Sequence, residues 1–321
     1  MKYKIVIIAL VIFALGAVLF FGAWASMDFG SVELSPVKCE KKSLVISDSF
    51  HSVSITVAAD DVHIEPSPDS ICRVEYTDCS RAVYKISVEN GCLTIKQEHT
   101  KGRNGRGGME FSVGAEDNML IIFLPRGSYK ELCAILASAD FYAGAGFDFE
   151  TAEINSASGD MDIGAVVTGS LSAHSASGDM RVGGLELDSI ELDTASGDIE
   201  LGDISCGIIE IQSTSGDIEL RDVSCGSLEV QSASGAQQLY NVLCRAELRL
   251  ESTSGDMRLD RCDAASLELE STSGYISGIL LSGKDFDVSS TGGSIRLPES
   301  CGSCKCRIKT VSGDIDFSIA P

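Results

Sequence analysis

The hexapeptide SASGDM occurs at Ser156 and again at Ser175, followed by TASGDI at Thr194 and STSGDI at Ser213. Taking the glycine of each Ser-Gly or Gly-Gly pair as zero, the copies fall at Gly159, Gly178, Gly197, Gly216, Gly235, Gly255, Gly274, Gly293 and Gly313. The spacing is 19 residues, except for 20 at Gly235–Gly255 and Gly293–Gly313. A unit this short has no core of its own, so the chain must stack like units until like residues bury one another.

The columns of the repeat show which residues face inward. Position +2 is apolar in eight of nine copies (Met161, Met180, Ile199, Ile218, Met257, Ile276, Ile295, Ile315) and Gln237 in the ninth. Position +4 runs Ile163, Val182, Leu201, Leu220, Leu239, Leu259, Gly278, Leu297, Phe317. Further apolar columns stand at +7, +12 and +14, with Glu, Asp, Arg, Gln and Ser between them. The pairs +2/+4 and +12/+14 have period two, the signature of strands with one wet face. Two helices do not fit into nineteen residues carrying a glycine each time. The expected fold is therefore all-β, a single-stranded parallel β-solenoid of ~19-residue coils. Its windings would lie about 4.8 Å apart, so the clear repeats make a rod roughly 40 Å long. The extra residue of each 20-residue period belongs between +7 and +12, in a loop.

The recurring motif reads first as a corner. Position −3 is always a hydroxyl residue: Ser156, Ser175, Thr194, Ser213, Ser232, Ser252, Ser271, Ser290 and Thr310. Alternation from +12 and +14 points it inward, where a hydroxyl ladder can donate to one neighbour and accept from the next. Glycine at zero permits a tight turn with positive φ. Asp at +1, present in six of nine copies, suits a bond to a nearby backbone N–H. A degraded earlier copy stands at ASADF, with Ala139 at the glycine position. The closing DIDFSIAP, ending at Pro321, reads as a cap on the last coil.

The N-terminus has another character. Residues 5–24 carry no charge, behind Lys2 and Lys4 and ahead of Asp28 and Glu33. Twenty apolar residues in a helix span about 30 Å, enough to cross a bilayer, and the lysines keep the N-terminus inside. Ala23-Trp24-Ala25 also fits a signal-peptidase site. Either way the rest of the chain is exported. Residues 1–26 are thus read as a transmembrane anchor or signal peptide. Residues 27–44 follow as a linker, 45–130 as irregular β lead-in coils that cap the stack, and 131–321 as the regular solenoid. Within the lead-in, Glu89-Asn90-Gly91-Cys92 marks a hairpin turn. Thr100–Phe111 is a basic, glycine-rich loop without phosphate-loop spacing.

With 47 acidic against 25 basic side chains the net charge is −22, which disfavours nucleic acid and anionic lipid surfaces as partners. Asp160, Asp179, Asp198 and Asp217 would line one edge and are weak calcium candidates, but the GGxGxD calcium pattern is missing. Of twelve cysteines, Cys206, Cys225 and Cys244 share position +9, and parallel side chains there favour free thiols. Cys301, Cys304 and Cys306 have C-x-x-C spacing with no histidine nearby, which favours thiols or a disulfide over zinc. The regular coils have no large insertions to wall a cleft, so neither a catalytic site nor a cofactor is expected.

The apolar N-terminus, the Leu124-Pro-Arg-Gly127 segment after an apolar strand, and the serial S-x-S-G-D-I-x-L coils resemble the DUF4097 family over roughly residues 45–320. The resemblance implies an adhesin-like bacterial envelope β-solenoid, and brings no catalytic motif. The expected function is non-enzymatic binding from a single-pass anchor in the cytoplasmic membrane, with an envelope glycan or a membrane protein as partner. The alternative is an accessory component of an envelope-stress sensory system.

Overall fold

The structure is a computed structural model that describes residues 39–79, 82–99, 118–164, 167–299 and 304–321. The anchor segment 1–26, the loop 100–111 and Cys301 lie outside the described residues. No helix among the described residues is long and apolar enough to cross a membrane. All described elements are β-strands, joined in one continuous sheet.

The regular part begins with β10 (Asp148–Ser156), β11 (Met161–Ile163), β12 (Val167–Ser175), β13 (Met180–Gly183) and β14 (Glu186–Ser196). It continues through β15 (Ile199–Ser215), β16 (Ile218–Ser234), β17 (Gln237–Ser254) and β18 (Met257–Ser273), each long enough to cover several sides of a winding. Neighbouring windings pair in parallel and in register: Ile199↔Ile218, Cys206↔Cys225 and Ile211↔Val230 illustrate three sides. The inward columns are buried as the sequence demands, with Ile211, Val230, Leu250 and Leu269 all sealed from solvent.

Three corners close each winding. The first is the glycine column. The second, at +6, was not legible as a corner: Gly184, Asp203, Asp222, Asn241 and Arg261 all take positive φ there. Asn and Asp tolerate that conformation best, and Asn241 Nδ2 donates to Asp222 Oδ1 at 2.6 Å. The third lies at Gly207 and Gly226, where any Cβ would sit 2.5 Å from the carbonyl oxygen of the winding before. The extra residue after Gly235 falls between +7 and +12 as expected, but as a β-bulge within the unbroken strand β17 rather than in a loop: the register shifts between Cys225 and Leu228.

The two ends depart from simple winding. At the N-terminal end stand β1 (Cys39–Ile46), β2 (Ser52–Val57), β3 (Asp61–Pro66), β4 (Cys72–Cys79), β5 (Ala82–Glu89), β6 (Cys92–His99), β7 (Met119–Leu124), β8 (Ser128–Leu136) and β9 (Phe141–Ala143). Residues 39–44, read as linker, belong to β1. The β2–β3 winding is sandwiched between β6–β7 and β8–β9. Antiparallel strands then close the stack: β5 on β6, β4 on β7 and β1 on β4. The lead-in is therefore a cap continuous with the rod, and its Asn90–Gly91 hairpin has both residues at positive φ.

At the other end stand β19 (Ile276–Leu280), β20 (Lys284–Gly292), β21 (Ile295–Arg296), β22 (Cys304–Ser312) and β23 (Ile315–Ile319). Here the order of windings is inverted. Strand β22 pairs with β18 on one edge and β20 on the other, and β23 lies between β19 and β21. The corner glycines stack accordingly, Gly274 N–H donating to Ser312 O and Gly313 N–H to Gly292 O, both at 3.2 Å. The chain skips one level and then returns to fill it. The segment DIDFSIAP is thus internal rather than the cap; the outermost winding is β20–β21, where Ile295 is 46% exposed.

Candidate functional site

The corner motif is explained by structure. Each added Cβ along the glycine column would meet the previous winding's backbone; at Gly216 it would lie 2.0 Å from Gly197 O, with φ at +121°. Next to it runs an aspartate ladder. Asp160 Oδ1 accepts from Asp179 N–H (2.9 Å), Asp179 Oδ1 from Asp198 N–H (2.9 Å), Asp198 Oδ1 from Asp217 N–H (2.7 Å) and Asp217 Oδ1 from Ala236 N–H (2.8 Å). The ladder extends beyond the sequence expectation: Asp61 accepts from Asp140 N–H and Asp140 from Asp160 N–H, which makes the ASADF segment a true copy. The four calcium candidates each have one carboxylate oxygen committed to the backbone. Among the described residues no group of three or more His, Cys, Asp or Glu side chains could hold a metal.

The hydroxyl column points inward, and Ser175 and Thr194 are buried. Its bonds are local, not from coil to coil. Ser156, Ser175, Thr194, Ser232, Ser271 and Ser290 each donate to the carbonyl two residues on, at 2.7–3.2 Å. Ser213, Ser252 and Thr310 keep the same inward place with a buried hydroxyl oxygen that has no partner. The rotamer that reaches a residue's own turn cannot also reach the next winding. The contacts between windings fall instead to the serines at −1: Ser215, Ser234 and Ser273 donate to Ala195 O, Thr214 O and Thr253 O.

Two rows of polar side chains run along the side of the rod that precedes the glycine corner. In one, Glu191, Glu210 and Glu229 stand in register on successive windings, followed by Arg249 and Glu268. Arg249 bonds Glu251 and approaches Glu268 (3.4 Å) and Glu229 (3.8 Å), so it offsets the carboxylates at that end of the row. In the parallel row, His174 Nδ1 lies 2.9 Å from Asp193 Oδ2 and its Nε2 lies 2.9 Å from Ser172 Oγ. That atom order is the one found in nucleophile–base–acid relays. The surroundings oppose acyl transfer: the cross-strand partners of Ser172 are Glu153 and Glu191, which would destabilise negative charge developing between them. The hydrogen bond to Asp193 raises the His174 pKa above the ordinary histidine value and so favours the protonated imidazole. The adjacency of His174 and Asp193 follows from their shared position +15 on successive windings, but the burial of Asp193 and the contact of the imidazole with Ser172 were not legible.

The cysteines resolve into one disulfide and a set of thiols. Cys39 and Cys79, opposite each other on β1 and β4, are bonded. Cys206, Cys225 and Cys244 are free and buried in their column, as expected. Cys304 and Cys306 are free too, and burial pushes the Cys306 thiol up to about 12. At the N-terminal cap, Val45, Ile46, Phe50, Ile71, Pro125 and Tyr129 help line an open recess of about 570 Å³ that sequence reasoning did not find. Its walls join irregular loops, outside any periodic pattern.

No curated protein matches the chain. Among solved structures, a "putative lipid binding protein" from Parabacteroides distasonis is 19% identical, with a TM-score of 0.51 over 75% of this chain and 96% of that one. A "putative adhesin" from the same species is 15% identical, with a TM-score of 0.50 over 88% of this chain and 97% of that one. These likenesses concern the fold. The profile of the family described as Toastrack DUF4097 matches residues 50–239 and 206–321, nearly the whole of the described rod. The chain belongs to the Toastrack DUF4097 family.

Proposed function

We propose that this chain is an adhesin-like binding protein of the bacterial envelope, held in the cytoplasmic membrane by residues 5–24 with the rod outside, and that it acts by binding rather than turnover. The observation that carries the reading is the row Glu191–Glu210–Glu229, three outward carboxylates at the strand spacing on a side without cleft-forming insertions. A rigid rod repeating one group every ~4.8 Å suits a ligand that is itself repetitive. The disulfide Cys39–Cys79 supports export, because such bonds persist in oxidising compartments. The test is binding of residues 39–321 to purified envelope glycans and to whole cells. The triple variant E191Q/E210Q/E229Q is expected to bind at least tenfold more weakly. Undiminished binding would move recognition off this row.

The second reading is an accessory role in an envelope-stress sensory system. It is favoured by the recess at the cap, where Val45 and Ile71 are about half exposed close in sequence to the anchor. Crosslinking in intact cells that captures one membrane protein, and loses it in Ile71→Glu, would favour this reading over glycan binding.

A further inference from the structure

Cys225 and Cys244 occupy the same column on adjacent windings, and their Sγ atoms lie 3.2 Å apart. No other pair in the column is so disposed among the described residues. Cys206, one winding earlier, turns its thiol to Ile208 O at 3.2 Å, and Cys262 turns its own to Leu239 O at 3.4 Å. The next residue in the column after Cys244 is Ala264, which leaves Cys244 a small neighbour on its far side.

We propose that Cys225 and Cys244 form a covalent modification site, a dithiol that a disulfide donor of the glutathione class converts to a bond between windings. In-register parallel residues stand about 4.8 Å apart at Cα, inside the 4.4–6.8 Å range of disulfides. From 3.2 Å, closure to about 2.05 Å needs a movement of about 1.1 Å and rotation of one thiol out of its parallel setting. The bulge supplies the freedom. The ladder slips by one residue between Cys225 and Leu228 on one edge of β17, and between Cys244 and Glu247 on the other, so Cys244 sits where the strand is least constrained. This geometry answers the objection that parallel side chains resist the required torsion, which holds for a regular ladder.

The chemistry balances as two exchanges. The Cys225 thiolate attacks a sulfur of the donor, the donor's S–S bond breaks, and one donor thiolate leaves. Cys244 then loses its proton and displaces the second thiolate, closing Sγ–Sγ. The pair gives up two electrons and two protons, and the donor disulfide becomes two thiols. The hydrogen bond from Cys244, aided by the charge of Arg245, lowers the Cys225 pKa and favours its role as the attacking sulfur. The nearly complete burial of Cys225 makes a brief opening at the bulge the slow step.

The test uses the full chain in detergent, incubated with oxidised glutathione, alkylated and mapped by mass spectrometry without reduction. The expected result is a Cys225–Cys244 linked peptide about 2 Da lighter than its two thiol components, in addition to Cys39–Cys79. The variants Cys225→Ala and Cys244→Ala should each lack it, and only the wild type should melt higher after oxidation. A map in which both residues are alkylated while Cys39–Cys79 is formed overturns the proposal. So does a bond from either residue to Cys206 instead.

Discussion

Replacing Gly216 by alanine tests the corner at one of its tightest points. The new Cβ would lie 2.0 Å from Gly197 O and 2.6 Å from Gly197 C, both backbone atoms, and φ is +121°. A non-glycine residue in that region costs about 1–3 kcal/mol in strain alone. The clash cannot be relieved by a rotamer change, because the obstacle is main chain already held in a ladder. The corner must lift, which breaks two bonds: Asp217 N–H to Asp198 Oδ1 at 2.7 Å and Ile199 N–H to Asp217 O at 2.9 Å. At about 0.5–1.5 kcal/mol each, the total is about 2–6 kcal/mol. Gly202→Ala is the control, since nothing lies within 4 Å of its added Cβ and its φ is ordinary; it should change stability by less than about 1 kcal/mol. Because a solenoid can open locally, urea melts by circular dichroism should be paired with hydrogen exchange at the Ile199 and Asp217 amides. Equal stability of the two variants, with unchanged exchange at those amides, would refute the argument.

Deleting residues 304–321 should release residues 284–296 as well, because β20 and β21 find their ladder partners in β22 and β23; persisting exchange protection there would contradict the inverted order. Millimolar calcium should leave Tm unchanged, since Asp160, Asp179, Asp198 and Asp217 each already accept a backbone N–H, and a rise of several degrees would show that the other oxygens assemble a site. His174 has a folded pKa above its unfolded value of 6.5, so its pairing with Asp193 stabilises fully below about pH 6.5, and that stability is lost as pH rises through the elevated folded value. The slope across that window should vanish in His174→Asn, as urea midpoints against pH would show.

The regular rod was legible because its information is local and repeated. Residues such as Ile199, Leu201, Ile209 and Ile211 declare strand and face by spacing alone. The windings at the C-terminal end were not, for the same reason: a repeat that fits any level says nothing about which level it occupies. Gly278 carried a trace of the answer, since it makes room for the Phe317 ring, 2.6 Å from its would-be Cβ, but the contact means nothing until β23 is placed on β19. The corner motif gave its side-chain directions and the backbone bonds of its aspartates correctly and the bonding of its hydroxyl column incorrectly, because a hydroxyl's choice between its own turn and the next winding depends on rotamer. The Cys39–Cys79 bond depends on which strands become neighbours outside the repeat, and the His174–Asp193 pair, though it shares one column, is a combination that the column does not repeat.

The placement of β22 and β23 bears on how the rod meets force. A last winding laid on the end of a stack would peel away one hydrogen bond after another, under little tension. Here a pull transmitted to β23 must slide it out from between β19 and β21 while β22 still grips β18 and β20, so the bonds on both flanks are loaded together in shear. A rod loaded at this end would gain mechanical endurance where fraying would otherwise start.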